Sequence, residues 1–211
     1  MNLKWHELTT PADPYLSTAL DLYEAEFDEI VREPRDILLR GMHLQHTEAI
    51  RPNAFHFLIG LDTDDQDRVV ALTITNYLST ANRGFIVYLA VHPGYRSHGL
   101  GGKLLHQLEL LLQQDAARAG HAHLDGLVLE TENDTDYERR RRFFERQGFQ
   151  LVPDILYYQP ALHPTTCAVP LKLFVKGPPD DLHTLIRAMY EEKYHLLNQI
   201  PLATLHQLLP R

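Results

Sequence analysis

Apolar positions along the chain recur with two periods in turn, every second residue in some segments and every third or fourth in others. Such alternation marks a sheet with helices packed on it. Residues 2–8 read as a first strand, and 11–27 as a helix with Leu16, Leu20, Leu22 and Tyr23 in its stripe. A second helix follows Pro34. Strands come next at 54–62, 69–80 and 84–91, bounded by turn residues such as Asp64, Asp65, Asn82 and Gly84, and their succession predicts an antiparallel meander. From Leu100, the residues Leu104, Leu105, Leu108, Leu111 and Leu112 share one face, so a helix runs to a capping glycine at Gly120. Residues 124–132 form another strand. Thr135 and Glu138, three apart as in a capping box, start a helix that ends at Gly148. Strands follow at 150–158 and 169–177, Pro170 placing the second at an edge or delaying its start. Leu182, Leu185, Ile186, Met189, Tyr190 and Leu197 give an amphipathic C-terminal helix.

Composition narrows the function classes. The 211 residues, 44% hydrophobic and 23% charged, suit one sizeable core with an appendage. A net charge of -8 argues against nucleic acid or an anionic membrane as main partner, since both call for a basic face. Cys167 is the single cysteine, so no internal disulfide, zinc ribbon or CxxC pair can form. The first residues lack the apolar core of a signal peptide, and no stretch approaches 18 uninterrupted apolar residues. The expectation is a cytoplasmic protein with no membrane partner. His43 with His46, and His121 with His123, carry no carboxylate and histidine grammar for zinc, so no metal is expected.

The stretch VYLAVHPGYRSHGLGGKLL, residues 87–105, places Gly99, Gly101 and Gly102 at the mouth of a helix. Each glycine there weakens the helix by roughly 1 kcal/mol relative to alanine. A bare turn lets an anion reach several unpaired N–H groups at a helix N-terminus. A P-loop is excluded, because Leu100 stands where its lysine belongs. A dinucleotide fingerprint is excluded too, because lysine and leucines follow Gly102.

RSHGLG, from Arg96 to Gly101, matches (Q/R)xxGx(G/A), and FFERQGF, from Phe143 to Phe149, resembles (L/F)YExxGF. In this order and separated by a strand, the two resemble the acyl-CoA motifs of the GNAT superfamily of N-acetyltransferases. The resemblance covers residues 1–176 and implies an α/β (mixed α+β) fold: a mixed, mostly antiparallel sheet flanked by helices, with its fourth and fifth strands splayed apart. Residues 177–211 are read as a helical extension packed on that domain. It further implies acetyl-CoA as cosubstrate, with pantetheine paired along Leu89, Ala90 and Val91. Backbone N–H groups of Ser97, His98, Gly99, Leu100, Gly101 and Gly102 would hold the pyrophosphate, and Arg96 would add a charged contact. The His98 side chain is either a further contact or an exposed turn residue.

The chemistry implied is direct attack by an amine on the thioester in a ternary complex. An alkylamine of pKa ~10.4 is free base about one time in a thousand at pH 7, adding roughly 4 to 5 kcal/mol to the barrier. A carboxylate removes that burden. VLET resembles the family's strand segment and nominates Glu130, whereas counting back from FFERQGF nominates Glu132; strand placement favours Glu130. The family's tyrosine acid is replaced by Phe144. Tyr137, almost two turns earlier on the same helix face, and Tyr158, with Tyr157 as its alternative on the following strand, are the hydroxyls in reach. A thiol of pKa ~8.5 leaves tolerably without one.

Of the arginine run 139–142, one or two residues can face CoA. Residues 27–46 are expected to wall the acceptor site, with Asp28, Glu29, Glu33 and Asp36 either attracting an ammonium group or forming a charged surface. The acceptor is expected to be a small-molecule or peptidyl primary amine. The C-terminal helix caps the sheet, covers the acceptor cleft or forms a homodimer. The competing functional class is a non-catalytic acyl-CoA sensor.

Overall fold

The computed structural model describes residues 1–178 and 181–210. Leu3–Glu7 (β1) is followed by helices Leu16–Glu26 (α1) and Arg35–His46 (α2). The meander is Ala54–Asp62 (β2), Arg68–Leu78 (β3) and Arg83–Val91 (β4). Then come Leu100–Arg118 (α3), Gly126–Thr131 (β5) and Tyr137–Arg146 (α4). Gln150–Leu151 (β6), Tyr157–Gln159 (β7) and Val169–Lys176 (β8) complete the strands. Leu182–Ala188 (α5) continues into a π-helical turn, Met189–His195, and Leu202–His206 (α6) follows.

The eight strands form one sheet in the order β1-β2-β3-β4-β5-β8-β6, with β7 also on β8. Every pair is antiparallel except β4 with β5. Helices cover both faces, which is why β2 is buried along its whole length. Phe55, Phe57 and Ile59 pack with α1, α2 and the C-terminal segment, whereas Leu58 packs with Leu100 and Leu104 of α3.

Two features of β4 open the sheet. Ile74 pairs with Tyr88 but Thr75 pairs with Ile86, so Val87 is an extra, bulged residue. The bulge breaks the alternation and puts Val87 and Tyr88 into one core. Pairing of β4 with β5 ends at Ile86 opposite Leu129, and beyond that point the strands part.

Several expectations are corrected. The helix expected from residue 11 begins at Leu16, after a turn. The strand expected over 150–158 is split, because Pro153 and Asp154, whose φ is 57°, break it. Strand β8 is interior, with Pro170 near its start opposite Tyr158. No capping box forms: α4 is preceded by Asp136, whose carboxylate pairs with Arg139, and Glu138 pairs with Arg141. The C-terminal stripe runs on beyond one α-helix into the π-helical turn and α6, and it buries Leu185, Ile186, Met189, Tyr190, Tyr194, Leu197 and Leu205 in the core. Among the described residues no helix is long and apolar enough to cross a membrane.

Candidate active site

The glycine turn lies where β4 leaves the sheet. Ser97 and Gly99 take φ of 66° and 75°, and Gly99 precedes α3 with open space where a Cβ would stand. Only its conformation calls for glycine. Gly101 answers to a different demand: a Cβ there would lie 2.8 Å from the Phe143 ring, so α3 and α4 approach through it. No side chain caps α3, which leaves its first N–H groups directed outward.

Those groups border a cleft of about 680 Å³. Leu89, Ala90, Val91, Arg96, Ser97 and Gly99 to Gly102 form one wall, α4 the other, and Ala25 to Asp28 the end. Arg139 and Arg140 from the arginine run line it, as does Arg146 farther along α4. Arg96 bonds the Val91 carbonyl at 3.0 Å and pairs with Glu26, so its charge is already matched. The His98 side chain is exposed and outside the cleft lining, its Nδ1 3.4 Å from the Tyr95 carbonyl.

At its inner end the cleft shares Phe27, Leu89, Glu132, Arg140 and Phe144 with a small chamber of about 60 Å³ between the parting strands. Val31, Leu129 and Leu171 give it apolar walls, and Glu130, Thr131, Glu132, Arg140 and Gln159 are among its polar lining residues. Glu130 Oε1 accepts from the Tyr194 hydroxyl at 2.5 Å and from Gln159 Nε2 at 3.3 Å. Its Oε2 is buried without a hydrogen bond. Burial pushes the Glu130 carboxyl up to about 7, against Tyr157, Tyr194 and Lys193, which favour its charged form. Glu132 faces Arg140, 3.9 Å away, whose guanidinium also bonds the Glu132 carbonyl, Thr131 and Asp134.

The tyrosines are not where the sequence placed them. Tyr137 packs on Phe174, ring centroids 6.4 Å apart, and lies outside the lining of both cavities. Strand alternation turns Tyr157, not Tyr158, inward: Tyr157 is buried beside Glu130 with its hydroxyl unpaired, while the Tyr158 side chain lines neither cavity. Phe144 lines both cavities and brings no hydroxyl. Glu33 is also removed from the acceptor role, since it forms a fully buried pair with Lys193. Tyr194, Gln159 and Lys193 were missed. Lys193 left one trace, because it occupies a position of the C-terminal apolar stripe. Among the described residues no three or more His, Cys, Asp or Glu side chains cluster as metal ligands would.

A comparison with curated protein sequences finds no match. Among solved structures, the fold is similar to that of a protein assigned as a GNAT-family acetyltransferase from Bacteroides thetaiotaomicron, at 19% identity over 94% of this chain and 99% of that one, TM-score 0.66. The ribosomal-protein-S18-alanine N-acetyltransferase from Escherichia coli aligns at 15% identity over 85% and 97% of the two chains, TM-score 0.56. A GNAT acetyltransferase from Elizabethkingia anophelis, solved with acetyl-CoA bound, aligns at 14% over 84% and 99%, TM-score 0.51. At such identities the likeness is one of fold. The model of the acetyltransferase (GNAT) family matches residues 16–149, from α1 through the second motif, which is more than half of the 211 residues. This chain therefore belongs to the GNAT family of acetyltransferases.

Proposed function

We propose that the protein transfers an acetyl group from acetyl-CoA to a primary amine of a small molecule or peptide, with Glu130 as the base. The observation that carries this reading is a buried carboxylate oxygen without a partner, at the inner end of a cleft that starts on bare helix N–H groups. The N–H groups of Gly101 and Gly102 hold the pyrophosphate, and the backbone of Leu89 to Val91 pairs with the pantetheine arm between β4 and β5. Glu130 takes the ammonium proton, the amine attacks the thioester carbon, the C–S bond breaks, and the second proton shed by the new amide nitrogen passes to the departing sulfur, so that CoA leaves as the thiol. Near neutral pH the carboxyl is poised to take the ammonium proton, because its value lies close to the working pH. The two tyrosines among the lining residues have their hydroxyls engaged elsewhere, Tyr88 with the Val31 carbonyl and Tyr95 with Asp65, so the sulfur leaves without a tyrosine acid.

Purified protein with acetyl-CoA and a broad panel of amines, followed by free thiol, tests the reading. Amine-dependent release is expected, falling about 100-fold or more in Glu130→Gln. Calorimetric binding of acetyl-CoA with no amine-dependent release would favour the sensor class instead.

A further inference from the structure

The base is held from outside the family match. That match ends at residue 149, yet the hydroxyl on Glu130 Oε1 belongs to Tyr194, in the π-helical turn near the C-terminus. We propose that Tyr194 is the positioning residue of this active site: its hydroxyl ties down Oε1 and leaves Oε2 as the open acceptor for the substrate's proton. The proposal rests on the reading of Glu130 as base.

Three observations carry it. First, the two carboxylate oxygens are treated unequally. Oε1 accepts from Tyr194 and Gln159, whereas Oε2 is buried without a hydrogen bond, as is the Tyr157 hydroxyl beside this carboxyl, an arrangement that costs stability unless a ligand completes it. Second, Tyr194 differs from its neighbour Tyr190, whose hydroxyl does what a core tyrosine ordinarily does and bonds backbone carbonyls, at 2.7 Å for Tyr158. Third, Tyr194 is clamped. The Lys193 ammonium lies 4.0 Å from the centre of its ring and pairs with Glu33, and Asn198 bonds both partners. The Glu33 amide in turn bonds the hydroxyls of Tyr23 and Tyr88. Val31, two residues before Glu33, walls the chamber and accepts from Tyr88 and Gln159. One buried ion pair thus fixes the α1–α2 loop and the base's hydrogen-bond donor together.

The titratable groups around Glu130 are Tyr157 from β7, Tyr190, Lys193 and Tyr194 from the π-helical turn, Glu33 from the α1–α2 loop, and Glu132 with Arg140 in the lining of the same chamber. Tyr157, Tyr194 and Lys193 favour the carboxylate; burial and Glu33 oppose it. Removal of the Tyr194 hydroxyl therefore raises the Glu130 midpoint.

The test follows the Glu130 carboxyl carbon by NMR in the full-length protein labelled at glutamate, without ligand, assigned through Glu130→Gln. The wild-type midpoint is expected near 7, that of Tyr194→Phe about one pH unit higher, and that of Tyr190→Phe unchanged. Phenylalanine fills almost the same volume, and calorimetric binding of acetyl-CoA checks that each variant is folded. With an amine taken from the panel, the acid limb of kcat/KM moves by the same amount in Tyr194→Phe, while KM for acetyl-CoA stays put. A Tyr194→Phe midpoint equal to wild type overturns the positioning role and leaves the base untouched. Full activity in Glu130→Gln overturns the base itself.

Discussion

Replacement of His56 by glutamine tests what holds α3, and with it the glycine turn, against the sheet. His56 is 2% exposed on the α3 face of β2. Its Nδ1 lies 2.5 Å from Glu7 Oε1 on β1, and its Nε2 lies 2.6 Å from Asp115 Oδ2 near the end of α3. Two carboxylates as partners require both ring nitrogens to donate, so the ring is an imidazolium. Burial alone would lower its pKa; the hydrogen bonds to Asp115 and Glu7 outweigh burial and carry it from 6.5 to about 9. The folded chain then binds this proton more tightly than the unfolded chain. Its contribution to stability is complete below about pH 6.5 and is lost as pH rises through 9. A shift of about two and a half units at about 1.4 kcal/mol each amounts to about 3 kcal/mol.

Urea denaturation from pH 6 to pH 10 reads this contribution directly. With a urea slope of about 3 kcal/mol per M, wild type is expected to lose about 1 M of midpoint across the window. His56→Gln is already destabilised at pH 6 by about 3 kcal/mol or more, because Asp115 keeps only Arg118 as a charged partner. It is expected to share with wild type only the loss that ionisation of the buried Glu130 brings between about pH 6 and 8, and to lack the further decline of wild type toward pH 10. A parallel decline of the two proteins would refute the imidazolium clamp, and so would an imidazole that titrates near 6.5 in the folded chain.

Gly101→Ala would set its Cβ 2.8 Å from the Phe143 ring and force that ring away, and is expected to cost about 1 to 3 kcal/mol in urea melts and to weaken acetyl-CoA binding by calorimetry. Gly99→Ala meets no atoms but must hold φ of 75°, so its loss is expected to be about 1 kcal/mol. An open groove of about 700 Å³, lined by Trp5, Lys103 and His106, meets the main cleft at Gly99, Gly102 and Gln147. If the nucleotide end of CoA lies there, the fluorescence of Trp5, the single tryptophan, changes saturably on titration with CoA, and Lys103→Glu raises the Kd. Unchanged fluorescence alongside calorimetric binding would put the nucleotide elsewhere.

What could be read from the sequence was local. The meander, the leucine face of α3 and the glycine turn each rest on a short period or on turn chemistry, and each stands within a few residues of its expected place. Contacts between distant segments were not readable. The sequence reading assigned the three glycines to one purpose, whereas Gly101 answers to Phe143 on another helix. The break at Pro153 and Asp154 restarts the strand alternation, so a single strand across 150–158 has no defined phase with which to choose Tyr157 over Tyr158.

The surroundings of Glu130 were the least readable part, since they are assembled from β5, β7, the α1–α2 loop and the C-terminal turn. Even so, one residue announced them. Lys193 stands at a stripe position among Met189, Tyr190 and Leu197, on a face that must be buried if the others are. An ammonium there demands a carboxylate partner in the core, because an unpaired buried charge is too costly to keep. Of the four acidic residues from Asp28 to Asp36, Glu33 alone is that partner; Asp28 and Glu29 in the α1–α2 loop and Asp36 in the first turn of α2 remain exposed. A lysine on an apolar stripe is therefore evidence that the C-terminal segment is built against the Glu130 side of the sheet, and together with Tyr157 and Gln159 of β7 this separates the present candidate site from one completed within residues 16–149 alone.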